Sequence, residues 1–291
     1  MRKNMKKIAV LTSGGDSPGM NAAVRSVVRT SIFFKIKSVG VYGGYQGLLE
    51  GNLLELDSRD VSNIIQKGGT MLKTARSKEF RSPAGVQKAA RTLDEHGIEG
   101  LVCIGGDGTY QGAAELQKVW DGKIITAPGT IDNDIFGTDE TIGFDTAVNT
   151  ALDAIDKIRD TADAHERFFI VEVMGRHAGF IAMDVGIGGG AEEILMPETP
   201  TDLMGISKRL QEARAIGKAS SIIVVAEGEE EGGAAKIAEK LKGLSGLDYH
   251  AVILGHVQRG GSPTARDPRL ATQLGAFAVD SLVEGKSGAA A

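Results

Sequence analysis

The sequence predicts an α/β protein of two three-layer αβα domains with largely parallel sheets, and three observations carry that expectation. Short β-rich runs alternate with helical patterns along almost all of the 291 residues. That rhythm belongs to parallel strands joined by helices that cover both faces of a sheet. Glycine- and acid-rich loops recur at the carboxyl ends of the strand runs, where open parallel sheets bind their ligands. A long loop at 128–143 precedes the clearest amphipathic segment and marks the start of a second domain.

In chain order, the first strand is expected at 6–12, built on Ile8-Ala9-Val10-Leu11, and the first helix at 19–34. A strand at 38–42 and helices at 60–67 and 84–97 follow. The next strand, 100–104, holds the unbroken apolar run Leu101-Val102-Cys103-Ile104, the pattern of a strand buried on both faces. A helix at 109–119 leads to a strand at 123–127. Helix 144–163 places Phe144, Ala147, Val148, Ala151, Leu152, Ile155 and Ile158 at the 3.6-residue period. Beyond it lie strands at 167–174, 192–196, 220–226 and 251–256, with helices at 178–186, 201–216, 233–243 and 264–284. There is no internal repeat. The Gly/Glu-rich stretch 227–233 reads as a solvated turn, and the chain ends in a Gly/Ala-rich tail.

Composition narrows the function classes. Apolar residues make up 42% and charged residues 24%, the proportions of a globular protein rather than a disordered one. A net charge of -5 argues against a nucleic-acid partner, which calls for a basic face. No apolar run approaches the roughly 20 residues that span a bilayer, so no membrane partner is expected. The basic start, Met1-Arg2-Lys3-Asn4-Met5-Lys6-Lys7, is followed only by a strand-length apolar run, unlike a signal peptide. Cys103 is the single cysteine, which leaves no disulfide framework and no cysteine metal site. Cytoplasm is the expected compartment.

The stretch richest in chemistry is Pro128-Gly129-Thr130-Ile131-Asp132-Asn133-Asp134, after Ile124-Ile125-Thr126-Ala127. In extended backbone, side chains alternate faces with a period of two, so Asp132 and Asp134 are expected to point the same way. Two acids converging there repel unless a cation or a proton lies between them. An exposed acidic turn is the alternative. A third acid sits in Gly105-Gly106-Asp107-Gly108-Thr109, which suits nucleotide phosphates and their metal, or else a glycine-rich turn capped by Asp107. Together the three acids favour a metal and a general base.

Thr12-Ser13-Gly14-Gly15-Asp16-Ser17-Pro18-Gly19-Met20-Asn21 joins the first strand to the first helix. Its glycines let backbone approach an anion, and the helix start offers unpaired N–H groups. A tight turn capped by Asp16 or Ser17 is the other reading. The loop lacks the Gly-Lys-Ser/Thr ending of a P-loop. Asn21, Arg25 and Arg29 follow at spacing four as one polar stripe, the pattern of a solvated helix face. Arg167, Arg176 and Arg259 stand beside glycines or at predicted strand ends, Arg76 lies in Thr74-Ala75-Arg76, and guanidinium forks match phosphate oxygens, with a surface salt bridge the alternative for each.

These strings, in this order, resemble the 6-phosphofructokinase family from about Lys7 to about Leu282. The resemblance rests on Thr-Ser-Gly-Gly-Asp-Ser-Pro-Gly-Met-Asn, Gly-Gly-Asp-Gly-Thr, Pro-Gly-Thr-Ile-Asp-Asn-Asp, Val-Met-Gly-Arg and Gly-His-Val-Gln-Arg-Gly-Gly. It implies phosphoryl transfer from ATP to the 1-hydroxyl of fructose 6-phosphate, with Mg²⁺ as cofactor. It also implies a larger nucleotide-binding domain (1–143 plus 258–291), a smaller sugar-phosphate domain (144–257) and an active site between them. Asp132 would be the general base, and Thr130 would position the transferring group. Gly15 and Arg76 would stabilise its charge with Arg176 nearby, and Asp107 with Asp134 would hold the metal. Gly15, Tyr45, Arg76, Arg81, Gly105, Gly106, Asp107, Gly108 and Thr109 match nucleotide contacts. Met174, Gly175, Arg176, Glu227, His256 and Arg259 match contacts to the sugar phosphate. Arg167 and His250 would reach the 6-phosphate from a neighbouring subunit of a homotetramer.

Members that use pyrophosphate generally carry an acid where this chain has Gly108 and a lysine where it has Gly129, so the resemblance favours ATP. An effector site is partly matched. Arg25, Arg29, Arg159, Glu192 and Lys218 fit, while Ser58, with Arg59 beside it, replaces an arginine and Ile216 stands where a lysine is common. His250 replaces an arginine frequent in bacterial relatives, exchanging a charge for one neutral hydrogen bond. Relatives usually continue for a strand and a helix past the last helix here. Two other readings stay open: a pyrophosphate-dependent or other sugar-phosphate kinase, and a non-catalytic nucleotide-binding regulator. Intact Thr130, Asp132 and Asp107 speak against the second.

Overall fold

The computed structural model describes residues 5–165 and 167–291. Residues 1–4 of the basic N-terminal run lie outside them. The chain separates into two compact units, one comprising Met1–Ile131, Ile135–Asp145 and Arg259–Ala291, the other Asp132–Asp134 and Thr146–Gln258.

The first unit opens with β1 (Lys7–Ser13), α1 (Met20–Phe33), β2 (Lys37–Val41), α2 (Gly44–Glu50) and β3 (Leu53–Leu56). After a long irregular stretch come α3 (Pro83–Glu95), β4 (Gly100–Gly105), α4 (Asp107–Gln117) and β5 (Lys123–Pro128). Helix α5 (Phe144–His165) leads into the second unit with β6 (Phe168–Val173), α6 (Phe180–Gly188), β7 (Glu193–Leu195), α7 (Leu203–Ala215), β8 (Ser221–Ala226), α8 (Gly233–Ser245) and β9 (Tyr249–Ile253). The chain returns to the first unit for α9 (Arg266–Val283) and β10 (Ala289–Ala290).

Strand order in the first sheet is β10-β5-β4-β1-β2-β3, parallel except for β3, which runs antiparallel to β2. The pleat explains its two covered faces. Ile8 and Val10 of β1, with Val102, Ile104, Ile125 and Ala127, pack into one cluster with α1 and α9. Ala9 and Leu11, with Val39, Leu101, Cys103 and Ile124, pack into another with α2, α3 and α4. Successive residues thus serve opposite layers, and burial on both sides is why these strands read as unbroken apolar runs.

The second sheet is fully parallel, in the order β7-β8-β6-β9. Phe168, Ile170, Ile223 and Val225 bury against Ile206 and Leu210 of α7 and Ile237 and Leu241 of α8. The alternate residues Phe169, Val171, Ile222 and Val224 are buried on the other face. Both units are α/β with largely parallel sheets.

Two local expectations are overturned, at 60–67 and 251–256, and the pattern gives no sign of α2, β3 or β10. Residues 60–67 form turns rather than a helix. Val61 and Ile64 are buried at helical spacing, but Asn63 adopts a left-handed backbone (φ 53°) that stops helix propagation. Helix α2 hides behind Gly44 and Gly47. Gly47 is needed because a Cβ there would fall 1.7 Å from the Tyr42 carbonyl oxygen. Part of the Gly/Ala-rich tail pairs with β5 as β10. Strand β9 starts at Tyr249, two residues before its expected position, and Gly255–Arg259 is a 3₁₀ turn. Among the described residues, no helix is long and apolar enough to cross a membrane.

Candidate active site

In the first unit, β1 and β4 are neighbours, so the loops leaving their carboxyl ends lie side by side. Thr109 couples them. Its buried Oγ1 donates to the Ser13 carbonyl at 3.1 Å. Its own carbonyl accepts from the Tyr45 hydroxyl at 2.7 Å. Tyr45 is only 5% exposed and stacks on Phe80 at 4.0 Å between ring centroids. Burial raises its phenol pKa well above the usual value, which keeps it a neutral donor. Tyr45 therefore supports the loop from behind rather than presenting its ring on the surface.

The glycines of these loops divide by cause. A Cβ on Gly105 would fall 2.3 Å from the Ser13 oxygen, so packing alone requires glycine there. At Gly129 a Cβ would meet Ile104, Met20 and the Gly105 nitrogen at 3.0–3.3 Å. Gly108 is different. Beyond its chain neighbours and its own helix backbone, no protein atom lies within 4 Å of a Cβ built there, and its backbone is not left-handed. Neither packing nor a left-handed backbone accounts for glycine at 108.

Helix α4 has Gly106 as its N-cap, with no side-chain cap, and Asp107 as its first residue, so Asp107 is not a cap. Its carboxylate is exposed and accepts from Gln111 Nε2 at 2.6 Å. Likewise Asp16 and Ser17 do not cap α1. Gly19 does so with φ 102°, in close packing with Ile142 and Asp267, and Ser17 donates to the Ile142 carbonyl at 2.7 Å. Gly15 is exposed. The Arg259 guanidinium lies against it, at 2.5 Å from where a Cβ would stand, and donates to the Asp16 carbonyl at 3.3 Å. The structure thus brings Arg259, matched to sugar phosphate by resemblance, onto the Gly15 loop. Thr130 is buried, its side chain 3.6 Å from the Cβ position of Gly106. Arg76 and Arg81 are exposed.

Asp132 and Asp134 do not share a face. Strand β5 ends at Pro128, and Asn133 between the acids is left-handed (φ 52°), which breaks the two-residue alternation. Asp132 is 2% exposed, while Asp134 is open to solvent. The backbone therefore separates the two acids before any cofactor is considered. Oxygen donors suit Mg²⁺, which typically takes one or two carboxylates and fills its shell with phosphate and water. Asp107 and Asp134, each taken by itself, present an exposed carboxylate of that donor type. Among the described residues no three His, Cys, Asp or Glu side chains gather as a metal cage.

In the second unit, Gly175 and Arg176 form a turn after β6, with Arg176 itself left-handed (φ 55°). Glu227 holds it, Oε1 accepting from the Arg176 N–H at 2.8 Å. Met174 is buried, its N–H donating to Gln258 Oε1 at 2.8 Å, and Gln258 Nε2 reaches the Ala147 carbonyl. Fully buried Gln258 escaped the sequence reading, although it sits inside the Gly-His-Val-Gln-Arg string. His256 is exposed. Arg167 and His250 are also exposed, but they precede or open β6 and β9, at the sheet end opposite Met174 and Arg176. His250 packs its ring 5.3 Å from that of Phe169.

The stripe on α1 splits. Asn21 is buried, Arg25 half-buried, and exposed Arg29 donates to the Ser58 carbonyl at 3.3 Å. In the second unit Arg159 donates to the Gly189 and Gly190 carbonyls, and Glu192 pairs with Lys218.

Comparison with known proteins agrees with this architecture. The phosphofructokinase family model matches residues 7–282. The chain belongs to the phosphofructokinase family. It is 55% identical over 284 residues to the ATP-dependent 6-phosphofructokinase 1 of Thermus thermophilus, covering 98% of this chain and 88% of that one. Among solved structures it is similar to phosphofructokinase from Saccharomyces cerevisiae, with a TM-score of 0.89 and 42% identity. That match covers 96% of this chain, which spans 42% of the yeast chain. A pyrophosphate-dependent phosphofructokinase from Marinobacter aquaeolei aligns with a TM-score of 0.83 at 26% identity, over 97% of this chain and 77% of that one.

Proposed function

We propose that the protein transfers the γ-phosphoryl group of ATP to the 1-hydroxyl of fructose 6-phosphate, giving fructose 1,6-bisphosphate, the committed phosphorylation of glycolysis. The observation that carries the donor assignment is Gly108, a glycine with open space around it at the start of α4. The packed surroundings of Gly129, which would have to shift for a lysine, support the same donor. Identity of 55% to an ATP-dependent enzyme, against 26% to a pyrophosphate-dependent one, agrees.

Phosphoryl transfer asks a protein mainly for positioning and charge stabilisation. The first unit supplies the nucleotide side. Backbone N–H groups at Gly15 and along Gly105–Gly108 face phosphate oxygens, Thr109 holds the two loops in register, and Arg76 and Arg81 add cationic forks. Arg259 lies against Gly15, within reach of whatever phosphate that loop binds. Asp107 with Asp134 would hold Mg²⁺, which when bound neutralises phosphate charge. Thr130 orients the transferring group. Asp132 accepts the proton of the 1-hydroxyl, and its burial withholds it from bulk water.

The second unit supplies the sugar side through Met174, Gly175, Arg176 and His256, with Glu227 setting the Arg176 turn. Arg167 and His250 stand at the other end of that sheet. Seven residues of strand, about 23 Å at 3.3 Å each, separate Arg167 from Met174 along β6. One sheet cannot deliver both ends to one sugar phosphate, which supports an oligomer in which Arg167 and His250 complete a neighbour's site, the homotetramer being what the family resemblance implies. We place the enzyme in the cytoplasm, in keeping with its single, buried cysteine. The effector positions Arg25, Arg29, Arg159, Glu192 and Lys218 are matched to an anion site by the resemblance alone; Arg29 and Arg159 donate to backbone carbonyls, and Glu192 pairs with Lys218.

A coupled assay for fructose 1,6-bisphosphate tests the reading. Turnover with Mg-ATP and none with pyrophosphate is expected. Turnover with pyrophosphate alone would overturn the donor, and none with either would overturn the enzyme.

A further inference from the structure

Arg76 sits in a stretch, 57–78, that contains turns but no helix or strand. Something other than secondary structure must place its guanidinium. Two buried side chains at the ends of the β1–α1 junction hold the segment just before it. Asn21, 3% exposed, sends its Nδ2 to the carbonyls of Lys67 at 3.0 Å and Gly68 at 3.2 Å. Its Oδ1 accepts from the Met71 N–H at 2.7 Å. All three bonds go to one irregular segment. Helix α1 has no side-chain cap, so Asn21 is not spent on its own helix.

Thr12 grips the far end of the same segment. Its Oγ1 lies 2.9 Å from Thr70 Oγ1 and 3.1 Å from the Lys73 carbonyl. A hydroxyl carries one proton, so Thr12 donates to Lys73 and accepts from Thr70. Lys73 is left-handed (φ 57°), a conformation that a side chain other than glycine keeps only where its surroundings impose it. Its N–H bonds the Thr70 carbonyl at 3.2 Å. That imposed turn sets the direction in which the chain leaves toward Arg76, three residues on.

We infer that Asn21 is a positioning residue for phosphoryl transfer, acting through segment 67–73 and the turn at Lys73 on Arg76. The inference rests on the proposed role of Arg76 at the transferring group. It gives Asn21 a task distinct from the solvated stripe in which its spacing to Arg25 and Arg29 places it.

The test is a double-mutant cycle of Asn21→Asp and Arg76→Ala, with kcat, KM for each substrate and Tm measured for all four proteins. Aspartate keeps the shape and the acceptor but removes both donors. Asn21→Asp is expected to lower kcat by about 10- to 100-fold, the scale of a misplacement near 1 Å, with KM for fructose 6-phosphate little changed. In the Arg76→Ala background the same change should cost less than about threefold, because its route to chemistry is gone. Equal losses in both backgrounds, or an unchanged kcat, would overturn the inference. Thr12→Val, which frees the other end of the segment, is expected to show the same coupling and serves if Asn21→Asp does not fold. If the wild type phosphorylates fructose 6-phosphate while Arg76→Ala leaves kcat intact, the inference falls and the function stands. Absence of wild-type turnover would reject the function itself.

Discussion

Replacing Gly108 with aspartate should make the protein more stable and a worse ATP enzyme at once. Outside its chain neighbours and its own helix backbone the new Cβ meets no protein atom within 4 Å, so tertiary packing does not oppose it. Position 108 is the second residue of α4, where losing glycine recovers about 0.3 kcal/mol of helix propensity. A carboxylate near the positive end of the helix adds about 0.3–1 kcal/mol. The sum, about 0.5–1.5 kcal/mol, predicts a Tm higher by roughly 1–4 °C. The same carboxylate would face the nucleotide phosphates. Two unit charges about 4 Å apart at an effective dielectric near 20 repel by about 4 kcal/mol, and bound cation and salt reduce this to about 2–4 kcal/mol. ATP affinity should therefore fall roughly 30- to 1,000-fold. Calorimetry reads the first effect, and steady-state kinetics with varied ATP reads the second. An unchanged KM for ATP would refute the claim that Gly108 makes room for nucleotide. A fall in Tm of more than a few degrees would refute the claim that the space is open.

Other outcomes follow from particular residues. Asp132→Ala should cut kcat by about 10²- to 10⁴-fold while ATP binding, measured by titration calorimetry, stays near wild type; undiminished turnover would remove Asp132 as the base. Gly129→Lys should destabilise by about 1–3 kcal/mol, read as a lower denaturation midpoint, because Ile104 and Met20 crowd its Cβ position. Cys103 is fully buried and its thiol is pushed up to about 12 by burial, so a thiol reagent at neutral pH should label the native protein only at the rate of unfolding. Chelation of Mg²⁺ should abolish turnover and leave far-ultraviolet circular dichroism unchanged, since Asp107 and Asp134 are exposed and anchor no core.

Much of the fold was legible because its strands are buried on both faces. Leu101-Val102-Cys103-Ile104 can be little else, and the structure has β4 end one residue beyond the expected limit. Helix α5 was visible from a long amphipathic period, starting at Phe144 as expected. What was not legible depended on backbone geometry that residue type leaves open. Asn63 and Asn133 each take a left-handed turn. The first breaks an apparent helix. The second turns what reads as a pair of acids on one face into one buried and one exposed group. Tyr45 was matched to nucleotide contacts by its place in the chain, yet its hydroxyl is committed to Thr109. No local pattern announces such a bond, because its two partners are 64 residues apart.

The pairing of α1 with α9 bears on how the chain is made. Gly275 lets the two helices approach until its Cβ position is 2.8 Å from the Ala23 carbonyl, and Ser26 bonds the Thr272 carbonyl at 2.6 Å. Met20, Ala23 and Val27 depend on that cover. Yet α9 finishes about 250 residues after α1 does, which is roughly 12–50 s of translation. The second unit, whose last residue is Gln258, is fully synthesised while the first still lacks α9, half of the helical cover on that face. A nascent chain paused before Arg266 would hold part of that apolar face uncovered. Its need for a holding chaperone would be set by translation speed as much as by the stability of the finished fold.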